Sequence, residues 1–375
     1  MEVTNRQSII HVGIIGVGGR PRAFLKAIQN CPFARLTAAC DLDRGAMDSA
    51  LEDLQDVVRY TDHRELLEQA EVDLVVVGTP IHLHTEQSID ALTRGIHVLS
   101  EVTAGVTLDE CKALVGAARK SSATYMLAEN CNYMKPYVMI REMVRALVFG
   151  EVYYAEGEYL HNCTGLSEKT PWRLEWLYGK NGITYGTHSL GPILSWFDGD
   201  RVVRVSCVGS GHHYLDPRGR HYGQEDTSLM LAKTEGGRLI KIRLDIVSSR
   251  AYNLGYVLQG TRGCYSSGRF PAEPHMVCLT GDSRDETEAA WIDLDSFGDR
   301  FTPDIWRRYG TCAHAASHGG SDYILMMDFL NALNDDKPAP IGIDAAMDMT
   351  LPGLVSERSI RQDGAWIDVP DSRDW

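Results

Sequence analysis

From Ile9 to about Tyr125 the chain alternates short apolar runs with amphipathic stretches: HVGIIGV, PRAFLKAIQNC, LTAACD, RGAMDSALEDL, VDLVVVGTP, TEQSIDALTRG, HVLSE, LDECKALVGAARKS and TYMLAEN. The apolar runs lack inside-outside alternation, as strands covered on both faces do, and the stretches between them have helical spacing. This pattern predicts an α/β domain built on a doubly wound parallel sheet. A helix, VMIREMVRALVFG, follows Pro136 and ends at Gly150. Beyond it the period changes to two, in EVYYAEGEYLHN, RVVRVSCVGS, DTSLMLAKTEGG, RLIKIRLDIVSS and NLGYVLQGTRGCYSS, with glycine-rich turns such as EGGR and GTRG. Such a run predicts a C-terminal α+β domain with a large open, mostly antiparallel sheet. No repeat or linker separates the halves, so the expected domains, residues 1–130 and 131–375, would share a cleft. The helix SDYILMMDFLNALND and the segment IDAAMDMTLPGLVSERSIRQ are expected to pack back on the first domain.

A length of 375 residues agrees with two domains at about 150 residues each. Lys and Arg number 37 against 51 Asp and Glu, a formal charge of −14, which disfavours nucleic acid and anionic membranes as partners and leaves small neutral molecules. The apolar runs fall far short of the roughly 20 residues of a membrane span, and Met1 to Gln7 is polar, so a cytoplasmic protein is expected. The nine cysteines are scattered from Cys31 to Cys312 without CxxC or zinc spacing, and His212, His213 and His221 have no regular spacing, so no metal site is expected. An open sheet with few helices after Gly150 leaves one face uncovered, which predicts a homo-oligomer.

The chemistry begins at GIIGVGGRP, where Gly16, Gly18, Gly19 and Arg20 lie between a strand and a helix. Exposed N–H groups and the helix dipole can hold a pyrophosphate there, the arrangement of a Rossmann dinucleotide site. Pro21 stands where the usual third glycine would be and suits a first helical turn. Asp41 ends the second strand, where a carboxylate accepts from an adenosine ribose, so NAD is expected over NADP; Arg44 nearby could accept a 2′-phosphate. Later strand ends offer Thr79, His82, His84 and Glu101 to the same cofactor.

In the second half, His188 precedes an apolar helix in YGTHSLGPILSWF, where the positive dipole end keeps an imidazole neutral and basic. Tyr185 supplies a phenol three residues earlier. Trp172, Trp176 and Tyr178 offer flat faces for a sugar or belong to an aromatic core, with Arg173 as a hydroxyl anchor.

Taken together, these segments resemble the Gfo/Idh/MocA oxidoreductase family, which pairs a Rossmann domain with an open-sheet domain. Most of that family reads EKP where this chain has Glu101-Val102-Thr103, and the lysine acts in proton and hydride transfer. ENCNYM, FGEVYYAEGEYLH, TPWRLEWLYGKNGITYGTHSLGP and SHGGSDY are more narrowly similar to the NAD-dependent glycosidases of glycoside hydrolase family 109, which also carry Val after the Glu. That resemblance implies nicotinamide-side contacts at Glu101, Val102, Asn130 and Tyr185. It implies substrate contacts at Tyr159, Arg173, Thr187, His188 and Tyr252, with His188 and Tyr185 catalytic. Gly186 and Ser189 stand where the family has Pro and Gly, which permits a different loop shape.

Three functions follow as expectations. The first is a glycosidase that cleaves a pyranoside through transient C3 oxidation, elimination, water addition and re-reduction on tightly held NAD. The second is an NAD-dependent sugar dehydrogenase. The third is an NAD-binding sensor without catalysis.

Overall fold

The computed structural model describes residues 9–270, 272–280, 289–314 and 316–375. The polar stretch Met1 to Gln7, on which the expectation of no leader rested, lies outside them. The chain divides into two compact units: one runs to Asn130 and adds Arg308–Met347 and Trp375, and the other comprises Cys131–Arg307 and Asp348–Asp374. No helix among the described residues is long and apolar enough to cross a membrane.

In the first unit, β1 (Ile10–Ile15), β2 (Ala34–Cys40), β3 (Val58–Tyr60), β4 (Leu74–Val77), β5 (His97–Ser100) and β6 (Tyr125–Leu127) form a parallel sheet in the order β3-β2-β1-β4-β5-β6. The strand order reverses between β1 and β4, which opens a ligand crevice at their C-terminal ends. All four residues of β4 are buried, which is why Leu74 to Val77 reads as an unbroken apolar run. β3 and the helix His63–Gln69 after it are not in the alternation read from the sequence, because the strand is three residues long and half exposed.

The helices between strands start at side-chain caps: Asp43 accepts from Ala46 N–H, Asp62 from Arg64 N–H, and Thr107 and Glu110 form a reciprocal capping box. Helix Ser321–Asn334 packs on helix Arg22–Asn30, and Leu127 N–H donates to Ile341 O at 3.0 Å, which ties the added segment to the sheet edge. Helix Ile343–Ile360 does not follow as a whole. From Asp348 onward it belongs to the second unit, where the Ser356 and Ser359 hydroxyls accept from Ile183 N–H and Cys207 N–H, both at 2.8 Å.

The described part of the second unit holds nine strands: β7 (Val152–Leu160), β8 (Val202–Gly209), β9 (Ser228–Thr234), β10 (Leu239–Asp245), β11 (Asn253–Gly260), β12 (Gly263–Ser266), β13 (Met276–Leu279), β14 (Trp291–Asp293) and β15 (Ile367–Asp368). They form one sheet in the order β14-β13-β12-β11-β7-β10-β9-β8-β15, antiparallel except for the central β7–β10 pair. Alternation explains β9, where Ser228, Met230, Ala232 and Thr234 are buried while Leu229 and Leu231 face outward.

Helix Thr187–Trp196 lies on the inner face of β7, and Gly157 makes the approach possible. A Cβ at Gly157 would stand 2.5 Å from Ser189 O and 3.1 Å from Ile193 Cδ1. With no side chain there, the helix backbone rests directly on the strand.

Candidate active site

At the dinucleotide turn, Gly16 has φ +92° and no room for a Cβ, which would meet Thr79 N at 2.8 Å and Gly78 O at 2.9 Å. Gly18 N–H donates to Asp41 Oδ2 at 2.8 Å, so the carboxylate at the end of β2 is fixed against the turn. Asp41 Oδ1 accepts from Asp43 N–H, and it is Asp43 that caps the next helix. Asp41 is therefore available to the ribose position. A Cβ at Gly19 would meet nothing within 4 Å, so the turn is open on that side. Pro21 packs against Gly78, whose missing side chain leaves the space that a glycine in the helix would otherwise provide. The small residue has moved from the helix to the strand. A tight left-handed turn, an open backbone edge, a helix N-terminus and a fixed carboxylate fit a dinucleotide.

Arg20 follows the glycine turn and pairs with two carboxylates. Its Nη1 and Nη2 donate to Asp322 Oδ2 and Oδ1 at 3.0 and 2.6 Å, and its Nε lies 3.6 Å from Glu101 Oε1. Asp322 is fully buried and also accepts from the Ser317 hydroxyl and, at 2.8 Å, from His318 Nδ1. Burial alone would raise the Asp322 pKa, but hydrogen bonds from His318 and Arg20 and their charges hold it well below the usual carboxylate range. The SHGGSDY motif thus carries the anchor of Arg20.

His84 is held by the loops at two strand ends. It is buried, its Nε2–H donates to Thr79 O at 2.8 Å, and its Nδ1 lies 3.3 Å from Thr103 O. Burial lowers its pKa. Thr85 donates to Ala104 O, so two neighbouring side chains hold the loop after Glu101. The Thr79 hydroxyl donates to Gln87 Oε1, and His82 sits half-buried in the turn Ile81–Leu83. Glu101, Val102 and Asn130 are buried, and the Val102–Thr103 peptide is cis.

The second unit gathers Tyr159, Tyr185 and His188. Tyr159 and His188 have ring centroids 5.0 Å apart, Tyr185 and His188 4.9 Å, and Tyr159 and Tyr185 5.6 Å. Tyr159 comes from the inner face of β7, two residues beyond Gly157, and His188 from the first turn of the helix that Gly157 admits. The helix has Pro192 four residues after His188, so the His188 carbonyl has no N–H to accept from. The Tyr256 hydroxyl, from β11, donates to that carbonyl instead. The turn before the helix is held by distant residues. Gln224 accepts from the Thr184 hydroxyl at 3.0 Å and donates to Gly182 O at 2.6 Å, while Ser356 accepts from Ile183 N–H.

Tyr252, 41% exposed, meets His161 edge-on at 4.9 Å, and His161 Nδ1 lies 2.9 Å from the Tyr159 hydroxyl. Burial raises the Tyr159 phenol well above 10 and pushes Tyr252 up to about 12. Thr187 is buried, and its hydroxyl has no hydrogen-bond partner among the described residues. Arg173 lies 4.3 Å over the Trp172 ring and donates to the Thr170 hydroxyl. Tyr178 is core rather than a sugar platform: it is fully buried and its hydroxyl donates to Cys163 O at 2.6 Å. His161, Gln224 and Tyr256 are absent from the sequence expectations. Only His161 left a signal, since it continues the period of Gly157 and Tyr159.

Comparison with known proteins agrees with this geometry. Residues 10–129 match the oxidoreductase family with an NAD-binding Rossmann fold, and residues 133–374 match the glycosyl hydrolase 109 C-terminal domain. The fold and the turn at Gly16 thus define an NAD-dependent enzyme of Gfo/Idh/MocA architecture. Within that class, the chain belongs to glycosyl hydrolase family 109. A glycosyl hydrolase family 109 protein of Saccharopolyspora erythraea is 31% identical, covering 96% of this chain and 83% of its own. An α-N-acetylgalactosaminidase of Shewanella oneidensis is 26% identical, covering 98% and 86%. Levoglucosan dehydrogenase in complex with NADH and levoglucosan shares the fold with a TM-score of 0.81 at 18% identity, over 97% of this chain and 100% of its own. Scyllo-inositol dehydrogenase from Lactobacillus casei, solved with NAD(H) and scyllo-inositol, does so with a TM-score of 0.73 at 16% identity, over 96% and 99%.

Two outcomes follow from the geometry. Tyr256→Phe removes the hydroxyl that donates to the His188 carbonyl and is expected to lower stability by about 1–3 kcal/mol in urea unfolding. Pro192→Ala, which restores an N–H at the fourth residue, should recover part of that loss, and additive effects would show that the two sites are independent. Calorimetry should find NAD bound more tightly than NADP, with Asp41→Ala narrowing the gap. Equal affinities in the unmodified protein would remove Asp41 from the ribose site.

Proposed function

We propose that this enzyme is a glycosidase that cleaves a pyranoside without net redox change: C3 is oxidised, the group at C1 is eliminated, water adds, and C3 is reduced. The group of Tyr159, Tyr185 and His188 carries this reading, together with Val102 in the position of the wider family's lysine. NAD, when bound, supplies the chemistry of taking a hydride from a sugar carbon and giving it back. Gly16, Gly18, Gly19, Asp41 and the Glu101 loop hold that cofactor, and we infer that it stays bound between turnovers.

His188 and Tyr185 move the hydroxyl proton at C3, and Tyr159 serves the C2 proton that a C3 ketone acidifies. Arg173, Thr187 and Tyr252 orient the sugar. The Shewanella oneidensis relative makes an N-acetylgalactosaminide the first substrate to try.

Turnover of p-nitrophenyl N-acetyl-α-galactosaminide and a panel of other p-nitrophenyl glycosides in heavy water is expected to place deuterium at C2 of the product, with no NADH accumulating. Elimination from a ketone depends little on anomeric geometry, so both anomers should react, unlike substrates of a paired-carboxylate enzyme. His188→Asn and Tyr185→Phe are expected to cost on the order of 10²-fold in turnover with NAD affinity unchanged. Cleavage without C2 deuterium would eliminate this route, and NADH release in step with an oxidised, intact glycoside would make the enzyme a dehydrogenase.

We also propose that two copies associate through the outer face of the nine-stranded sheet. Val208 of β8 stands beside Leu229 of β9, and both they and Leu231 are exposed. Next to them the face carries Lys241–Glu156 and Arg243–Glu158 pairs in register across β10 and β7. Light scattering should report at least a dimer at micromolar concentration; a monomer there refutes this interface.

A further inference from the structure

The Tyr159 hydroxyl is 2.9 Å from His161 Nδ1, and no role has so far fallen to His161. β7 places the two on one face: Tyr159 is its penultimate residue, and His161 N–H donates to Asp245 O at 2.8 Å, which continues the pairing with β10 one step further. Tyr159 is 8% exposed, whereas His161 is half-buried and has the exposed Tyr252 edge-on against its ring. The imidazole thus lies between a buried phenol and the surface. His188 and Tyr185 also pack against Tyr159, at centroid distances of 5.0 and 5.6 Å.

We propose that His161 is the proton partner of Tyr159, so that the two side chains act as one base for the substrate. This deepens the elimination reading above and rests on it for the identity of the proton moved. The C2–H bond breaks and its electron pair forms the C2–C3 enolate. The proton goes to the Tyr159 oxygen as the phenol's own proton passes to His161 Nδ1. The group at C1 then leaves with its bonding pair and takes a proton from the water whose hydroxide adds at C1. The protonated pair exchanges with solvent through His161, and a solvent-derived proton then passes from Tyr159 to C2 as Nδ1 gives its proton back. The balance of protons over the cycle is zero.

Tyr159 cannot take this role alone. Burial raises its phenol well above 10, and the groups around it, Tyr185, Cys163, Cys131 and Tyr252, add to that shift rather than offset it. A phenol that stays protonated near neutral pH can accept a proton only if it releases its own in the same step, and an imidazole at hydrogen-bond distance is the acceptor such a step requires.

The dyad can be tested on the NAD-loaded full-length protein. In ¹⁵N NMR of histidine-labelled enzyme, His161 should be the Nε2–H tautomer, with an Nδ1 resonance that shifts when Tyr159→Phe removes the donor. An Nδ1–H tautomer unaffected by Tyr159→Phe would overturn the proposal whether or not any glycoside is cleaved. On a glycoside that is cleaved, His161→Asn is the decisive variant, because its amide oxygen can accept from the phenol but cannot carry the proton. The rate of deuterium entry at C2 should fall on the order of 10²-fold in His161→Asn, and Tyr159→Phe combined with it should cost little more than either alone. A near-normal exchange rate in His161→Asn would reduce His161 to a packing role. Cleavage without C2 exchange in the unmodified enzyme would instead refute the elimination reading and leave the NMR result to decide the pair.

Discussion

The ring cluster of the second unit depends on how closely one helix can lie on one strand. Gly157 removes the side chain that would hold helix Thr187–Trp196 off β7, and the rings of His188 and Tyr159 meet because of that approach. A helix set so close cannot adjust freely, and two features fix it further. Pro192 removes an N–H and would leave the His188 carbonyl unpaired, a loss of roughly 1–3 kcal/mol if buried, and Tyr256 reaches over from β11 to pair with it. β11 flanks β7 in the same sheet, so the strand beneath His188 and the strand that holds its carbonyl move as one. The turn that presents Tyr185 is tied by Gln224 and Ser356, from segments about 40 and 170 residues away in sequence, so the positions of Tyr185 and His188 rest on the tertiary fold rather than on local propensity.

The first unit solves a different problem. A dinucleotide turn must leave its backbone N–H groups open to an anion, yet an arginine beside them would compete for position. Here Arg20 is occupied by Asp322, which is buried and held in its charged form, and it is drawn toward Glu101 as well. The guanidinium thereby becomes a strut between the glycine turn, the end of β5 and helix Ser321–Asn334. Bidentate pairing suits this use, since it fixes orientation as well as charge. His84, buried nearby, donates from Nε2 to the carbonyl of Thr79 and sets its Nδ1 edge 3.3 Å from Thr103 O.

The parts legible in the sequence were those whose signal is local and periodic. β1, β2, β4, β5 and β6 read as two-sided apolar runs, β9 and β10 as alternation, and the glycines with Asp41 as a dinucleotide turn. β3 was too short to show a period, and helix Ile343–Ile360 gave no sign that Ser356 and Ser359 would tie its second half to the C-terminal sheet. Tyr178 was ambiguous because an aromatic side chain looks the same in a core and on a platform; its bond to Cys163 O decides for the core. Gln224 and Tyr256 were illegible for a stronger reason. Each acts on a backbone carbonyl far away in sequence, and such a carbonyl is the same in every residue, so no pattern of side chains announces it.

The absence at position 102 of the wider family's lysine becomes intelligible in terms of the proposed reaction. A lysine brings a fixed positive charge that must be desolvated or paired wherever it is buried, and it favours a substrate that finishes as an alkoxide or ketone. Val102 is buried and carries no such demand. In the proposed mechanism proton transfer falls to phenols and imidazoles, which are neutral at rest and tolerate burial. They can pass a proton in either direction along a chain of hydrogen bonds. Burial that raises the Tyr159 phenol would be a defect in a lone base, but in the proposed pair it would keep the proton on the phenol until the substrate offers another. The proposed reaction takes a proton from carbon and returns one from solvent within a single turnover, which needs such reversibility more than it needs a strong base.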